Sequence, residues 1–167
     1  MRKRPQVSIV MGSDSDLEIM REAARVLSEF SIPYEVQILS AHRSPARVSR
    51  FSKALSKRGI RAVIAGAGGA AHLAGVIAAN TSIPVIGVPV ETSSLKGLDS
   101  LLATVQMPSG IPVATMAIGK AGAVNAAVLA VQILAVNSKA LQSKLLNHKR
   151  KLEQSVVEKN SRLQGKV

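Results

Sequence analysis

The chain has no cysteine and no tryptophan among its 167 residues, and only one tyrosine and two phenylalanines. Without thiols, disulfide bridges and thiolate metal sites are excluded. With so few aromatic rings, a base-stacking platform for nucleic acid is excluded too. The core must then be assembled from Ala, Val, Ile and Leu within a chain that is 47% hydrophobic. No apolar run reaches the ~18 residues needed to span a bilayer. The basic start Met1-Arg2-Lys3-Arg4-Pro5 is not followed by an apolar signal core, so a soluble cytoplasmic protein is expected.

Acidic residues are also scarce, 10 against 22 basic, for a net charge of +12. The excess is not spread evenly. Residues 1–4 hold three basic groups, and residues 139–167 hold eight basic against two acidic. The stretch between them is close to balanced. Either the ends bind a polyanion, or they are a solvated basic helix and tail. We take the second reading and expect no specific nucleic-acid partner and no membrane partner.

The chain is long enough for one domain with a full core. Val7–Met11 reads as a buried strand, and Leu17, Met20, Ala23, Ala24, Leu27 and Phe30 then recur at helical spacing. Tyr34–Leu39 alternates apolar and polar residues, as a second strand does. Ser44-Pro45 reads as an N-cap with proline in the first helical position, ahead of a core stripe of Val48, Phe51 and Leu55. Ala62–Ala65 lacks polar residues and reads as a third strand at the centre of a parallel sheet, and Pro84–Val88 reads as a fourth strand. A short helix is expected over His72–Asn80, a loop and short helix over Glu91–Thr104, and a fifth strand over Val113–Ile118. An alanine-rich helix runs from Ala123 to Val136, and a polar helix over 139–157 carries the thin stripe Leu141, Leu145, Leu152 and Val156, placed to reach a neighbouring subunit. Residues 158–167 read as a disordered basic tail. The whole is a single α/β domain over 1–157 (core 6–137), a three-layer, flavodoxin-like parallel five-stranded sheet of order 2-1-3-4-5 with helices on both faces.

Three strand-to-helix bends carry the chemistry. Ser40-Ala41-His42-Arg43-Ser44-Pro45 places a proton carrier beside an anion fork. Gly12-Ser13-Asp14-Ser15-Asp16 opens a helix, whose free amides suit phosphate. Asp16 would repel phosphate and suits sugar hydroxyls or an amine. It reads equally well that Ser13 and Ser15 merely cap the helix and that Asp16 complements its dipole. The third bend, Gly66-Ala67-Gly68-Gly69-Ala70-Ala71-His72, is nearly free of side chains, so backbone can approach a flat ligand. It lacks the third glycine and the later acidic residue of a dinucleotide fingerprint, since Glu91 is too distant and sits in a loop. A nicotinamide enzyme is therefore rejected. His42, His72 and His148 show no metal-ligand spacing, and no G-x-S-x-G elbow exists. In open parallel sheets such bends converge on one pocket.

Together with Pro84–Pro89, Gly97–Leu101, Gln106–Pro112 and Ala117–Gly119, these bends resemble the N5-carboxyaminoimidazole ribonucleotide mutase family of purine biosynthesis, in order, over roughly residues 6–137. The resemblance implies movement of a carboxyl group from the exocyclic nitrogen of the substrate to ring carbon C4, by decarboxylation and recarboxylation, with no cofactor and no metal. It implies His42 as general acid and base. It implies substrate contacts from Ser13, Ser15, Asp16, Ser40, Arg43, Gly68, Gly69, Ala70 and His72, with lesser roles for Gln106 and Met107. It also implies a homo-octamer with sites at subunit borders. A sister subgroup that carboxylates with carbon dioxide directly has lysine in place of Arg43 and an Ala-Gly-Arg-Ser-Asn type of loop in place of Ala67–Ala71, so the mutase is favoured. The competing readings are that carboxylase, a nucleotide-binding module without chemistry, and a nucleic-acid binder using the tail.

Overall fold

The computed structural model describes residues 4–164. Arg2 and Lys3 of the basic start and residues 165–167 of the expected tail lie outside it. Five strands, β1 (Val7–Met11), β2 (Tyr34–Ile38), β3 (Ala62–Gly68), β4 (Val85–Val90) and β5 (Ala114–Thr115), form one parallel sheet in the order β2-β1-β3-β4-β5. Six α-helices connect and follow them: α1 (Leu17–Glu29), α2 (Pro45–Ala54), α3 (Leu73–Ala78), α4 (Leu98–Val105), α5 (Lys120–Ala135) and α6 (Lys139–Gln164).

The sheet is covered on both faces, and the period-two geometry of strands divides its side chains between two cores. Val7, Ile9 and Met11 of β1, Ala62 and Ile64 of β3, and Ile86 and Val88 of β4 pack with α1 and α5. Val10, Val63, Ala65 and Val85 point the other way, onto α2 and α3. Each fully buried Val, Ile or Leu stabilises the fold by about 1.5–3 kcal/mol, so burial on both faces accounts for strands without polar residues. The edge strand β2 is only partly covered: its apolar Val36 and Ile38 are exposed, whereas Glu35 and Gln37 are half-buried. At its start, the hydroxyls of Tyr34 and Ser28 are 3.3 Å apart, tying β2 to the end of α1.

On α5, Ala123, Ala126, Ala127 and Ala130 are completely buried. Methyl-sized side chains let this helix lie close against α1 and the sheet. Its first turn is closer still, because a Cβ on Gly122 would stand 1.7 Å from the Ala117 carbonyl oxygen.

Several elements differ from the sequence expectation. β5 holds two residues rather than six. The Pro108–Pro112 turn delivers the chain late to the sheet edge, and after Met116 N donates to Gly87 O (2.9 Å) it bends into α5. Ser44 makes no side-chain cap on α2; its hydroxyl is committed to Ser40. The helix expected to end at Val157 continues to Gln164, so residues 158–164 are helical rather than disordered. The apolar stripe of α6 is also divided. Leu141 and Leu145 pack on the α1/α5 core, whereas Leu152 and Val156, joined by Leu163, are exposed.

Gly122→Ala should lower the free energy of unfolding by about 3 kcal/mol or more, beyond ordinary overpacking, because the atom in the way is backbone. Denaturant titration measures it, and an unchanged midpoint would contradict the contact.

Candidate active site

Parallel pairing of β1 with both neighbours aligns Met11 with Ile38 and with Gly66, so the chain leaves all three strands at one edge. The bends after β1, β2 and β3 therefore meet, and the end of β4 joins them. They enclose a cleft of about 450 Å³ lined by Gly12, Ser13, Ser15 and Asp16, by Ser40 to Arg43, by Ala67, Gly68, Ala70 and Leu73, and by Val90 and Glu91.

After β1, Ser13 Oγ accepts from Ser15 N (3.4 Å) and Asp16 Oδ2 accepts from Ser13 N (3.1 Å). This reciprocal cap closes a 3₁₀ turn, Asp14–Asp16, ahead of α1. The cap expected from Ser13 is present, but its second member is Asp16, expected only to complement the helix dipole, rather than Ser15; both side chains still face the cleft. Asp16 is buried, 7% exposed. Loss of water pushes its carboxyl above the ordinary value, against the opposing pull of its hydrogen bonds from Ser13, Ser15 and Gly12. Asp14 is fully exposed and its carboxyl is lowered, chiefly by the Ser13 hydroxyl that donates to it at 3.0 Å.

After β2, Ser44 Oγ donates to Ser40 O (2.9 Å) and accepts from Ser40 N (3.2 Å), cinching the bend from both sides. Ser40 Oγ accepts from Arg43 N (3.1 Å) and from Arg43 Nε (3.4 Å), and the guanidinium also donates to Gly12 O (3.0 Å). Arg43 is therefore aimed along the cleft by the first two bends together. His42 Nε2 lies 2.8 Å from His72 Nδ1, the rings edge to face with centroids 4.9 Å apart. One ring nitrogen donates and the other accepts, so a single proton lies between the rings.

After β3, the loop turns at Gly69, whose φ of +65° suits glycine. Its N–H donates to Ser100 Oγ at 2.8 Å. No side chain larger than a methyl group enters the cleft from Gly68 or Ala70. Of the residues expected at the site, Ser13, Ser15, Asp16, Ser40, His42, Arg43, Gly68 and Ala70 line the cleft. Gly69 lies just behind, and His72 reaches it through His42. Gln106 and Met107 do not line it; Met107 packs near Gly75 instead. Sequence reasoning missed Val90 and Glu91 as lining residues, which arrive from β4, and the part that Ser100 plays in holding the third bend; Ser44, expected to add a hydroxyl to the second bend, spends it on Ser40. Ser100 lies within the Gly97–Leu101 segment of the family resemblance, but nothing in the sequence marks its hydroxyl as an anchor.

Both His42 and Arg43 are exposed in the single chain. Among the described residues no group of three or more His, Asp or Glu is gathered as a metal ion requires, and no helix is long and apolar enough to cross a membrane. The arrangement offers a proton carrier, a guanidinium and hydroxyl anion site, a buried carboxylate for hydroxyls, and a bare backbone wall.

Residues 6–155 match the AIR carboxylase family, and the match extends into α6. The N5-carboxyaminoimidazole ribonucleotide mutase of Pyrococcus horikoshii is 54% identical over 162 residues, 97% of this chain and 90% of that one. The mutase of Thermotoga maritima is 52% identical over 160 residues, 96% and 92% of the two chains. The crystal structure of Treponema denticola PurE superposes with a TM-score of 0.84 at 29% identity, over 96% of this chain and 99% of that one.

Because the Asp16 carboxyl is raised in the folded state, folding gains from its protonated form below its unfolded value and loses that gain as pH rises through the folded value. Asp16→Asn should therefore show a thermal midpoint, relative to the parent, that climbs as pH rises out of the ordinary carboxylate range. Paired melts across pH test it, and a difference independent of pH would refute it.

Proposed function

Since this chain belongs to the AIR carboxylase family, we propose that it converts N5-carboxyaminoimidazole ribonucleotide to 4-carboxyaminoimidazole ribonucleotide in purine biosynthesis. The observation that carries this reading is His42 on the cleft wall, tied to His72 and flanked by Arg43, opposite a loop without side chains. The substrate pairs a phosphorylated sugar with a small heteroaromatic ring. Arg43 and the Ser13 and Ser15 hydroxyls suit the phosphate, and Asp16 suits the ribose hydroxyls.

In the reaction, protonated His42 gives its proton to the exocyclic nitrogen as the nitrogen–carbon bond breaks and carbon dioxide leaves. Ring carbon C4 then attacks the held carbon dioxide, forming the new carbon–carbon bond and leaving positive charge on the ring system. Neutral His42 removes the C4 proton, which restores aromaticity and regenerates the imidazolium. No electrons are gained or lost overall, and the histidine ends as it began. Proton transfer of this kind contributes about 10²–10⁴-fold. Holding carbon dioxide beside C4 supplies a further large factor by proximity, and the Gly68–Ala70 wall leaves room for so small a partner. Arg43 and the Ala67-Gly68-Gly69-Ala70-Ala71 loop favour the mutase over direct carboxylation.

The reading includes assembly into a homo-octamer in the cytoplasm, with each site bordered by a second subunit. Two features support the assembly. The cleft is open in the single chain, although trapping carbon dioxide requires exclusion of water. Leu152, Val156 and Leu163 stand uncovered on α6, an apolar surface suited to another subunit.

Given the N-carboxylated nucleotide without ATP, the protein should form the C4-carboxylated product. His42→Asn should cut turnover by about 10²–10⁴-fold while keeping affinity for the uncarboxylated nucleotide; turnover near that of the parent would remove His42 from the mechanism. Leu152→Asp combined with Val156→Asp should lower the mass measured by light scattering, and an unchanged mass would take α6 out of the assembly.

A further inference from the structure

Behind the bare wall of the cleft lies a hydroxyl that no substrate can touch. Ser100, on the first turn of α4, is completely buried. Its Oγ accepts from Gly69 N at 2.8 Å and donates to Val90 O at 2.7 Å. Gly69 belongs to the loop after β3, and Val90 is the last residue of β4, paired in register with Gly68. One oxygen thus bridges two walls of the cleft. It also satisfies two backbone groups at the point where the strands end and cease to serve one another.

The loop needs this anchor. Beyond Gly69 it is held by only two short backbone bonds, Ala71 N to Gly69 O and His72 N to Ala70 O, both 2.8 Å. Gly68 and Gly69 have no side chain with which to fix their position, Ala70 has only an exposed methyl group, and the buried methyl of Ala71 holds the loop only beyond them. The same loop ends at His72, whose ring partners His42. A shift at Gly69 would therefore move the surface facing the reacting ring and the partner of the proton carrier together.

We infer that Ser100 is a positioning residue for carboxyl transfer. By pinning Gly69 to Val90 it keeps the Gly68–Ala70 wall closed against released carbon dioxide, so that recarboxylation outruns escape. The inference rests on the carboxyl-transfer reading above and adds a residue that acts on the fate of the intermediate rather than on protons.

The test is the partition of product. With the N-carboxylated nucleotide as substrate and spontaneous decomposition subtracted, the parent should release little uncarboxylated nucleotide relative to the C4-carboxylated product. Ser100→Ala should raise the ratio of released uncarboxylated nucleotide to C4-carboxylated product by about tenfold or more, since small misplacements cost on that scale. The ratio does not depend on how much of the variant is folded. Thr104→Ala is the control. It removes a buried hydroxyl one turn later, which donates to Ser100 O at 2.7 Å, without touching the loop, and it should leave the ratio at the parent value. Ser100→Cys keeps the size with a weaker donor and acceptor, so it should give a smaller rise and serves if the alanine variant does not fold. Independently of activity, hydrogen exchange at the Gly69 amide should speed up by about tenfold or more in the alanine or cysteine variant. A parent ratio in both Ser100 variants, or an equal rise in Thr104→Ala, would overturn the inference. Faster exchange at Gly69 with an unchanged ratio would show a pinned loop that does not govern the intermediate. A parent protein that forms no C4-carboxylated product would instead sink the reading on which the inference stands.

Discussion

The parallel register of β1 between β2 and β3 is the constraint on which the cleft depends. Met11 faces Ile38 on one side and Gly66 on the other, so three chain segments turn away from the sheet at one level. Nothing local to Gly12, His42 or Gly68 brings them together; the ladder hydrogen bonds and the two apolar cores do. A slip of one residue in either pairing would reverse which face each side chain of that strand presents and would move its bend along the cleft by about 3.3 Å. The completely buried Val7, Ile9, Val10, Val63 and Ile64 therefore specify the site as much as they stabilise the fold.

At that level the polar groups are held mainly by one another and by backbone. Ser44 holds Ser40, Ser40 holds Arg43, and Arg43 reaches Gly12; Ser13 and Asp16 cap each other; Ser100 holds Gly69. Such mutual restraint limits the ordering left for a substrate to impose, which is how preorganised sites gain over flexible ones. It also has a cost. The Asp16 carboxylate is kept out of water in a position that raises its proton affinity, and apolar substitution is the usual way a fold removes such a burden.

Much of this architecture is legible in the chain itself. Strands buried on both faces are almost wholly apolar, Ser8 being the exception, so Val7–Met11, Ala62–Ala65 and Val85–Val88 stand out, and β2 declares itself a strand by alternation. The three bends follow as the segments between those strands and the next helices. Legibility fails where tertiary context decides. The apolar run Val113–Ile118 reads as a strand, yet only Ala114–Thr115 pairs with β4, and the rest turns to seat α5. The end of α6 is obscured because, beyond Leu145, exposed side chains leave no buried stripe to follow, although Glu158–Gln164 contains residues that tolerate helix well. The contact of His42 with His72 spans thirty positions, and the arrival of Glu91 depends on β4 lying beside β3. Neither is written in local spacing. Ser100 is hidden for another reason: a small hydroxyl on the inner side of a helix looks like ordinary core until its two backbone partners are known.

The shortage of aromatic side chains leaves the molecule with a single phenol as its only strong near-ultraviolet chromophore. That ring, Tyr34, begins β2 and stands beside the hydroxyl of Ser28 at the end of α1. Its intrinsic emission therefore reports on one corner of the domain, at the opposite end of β2 from the cleft. Heating followed by this light would register the loosening of that corner, and the reacting end would stay dark until a reporter ring is placed there.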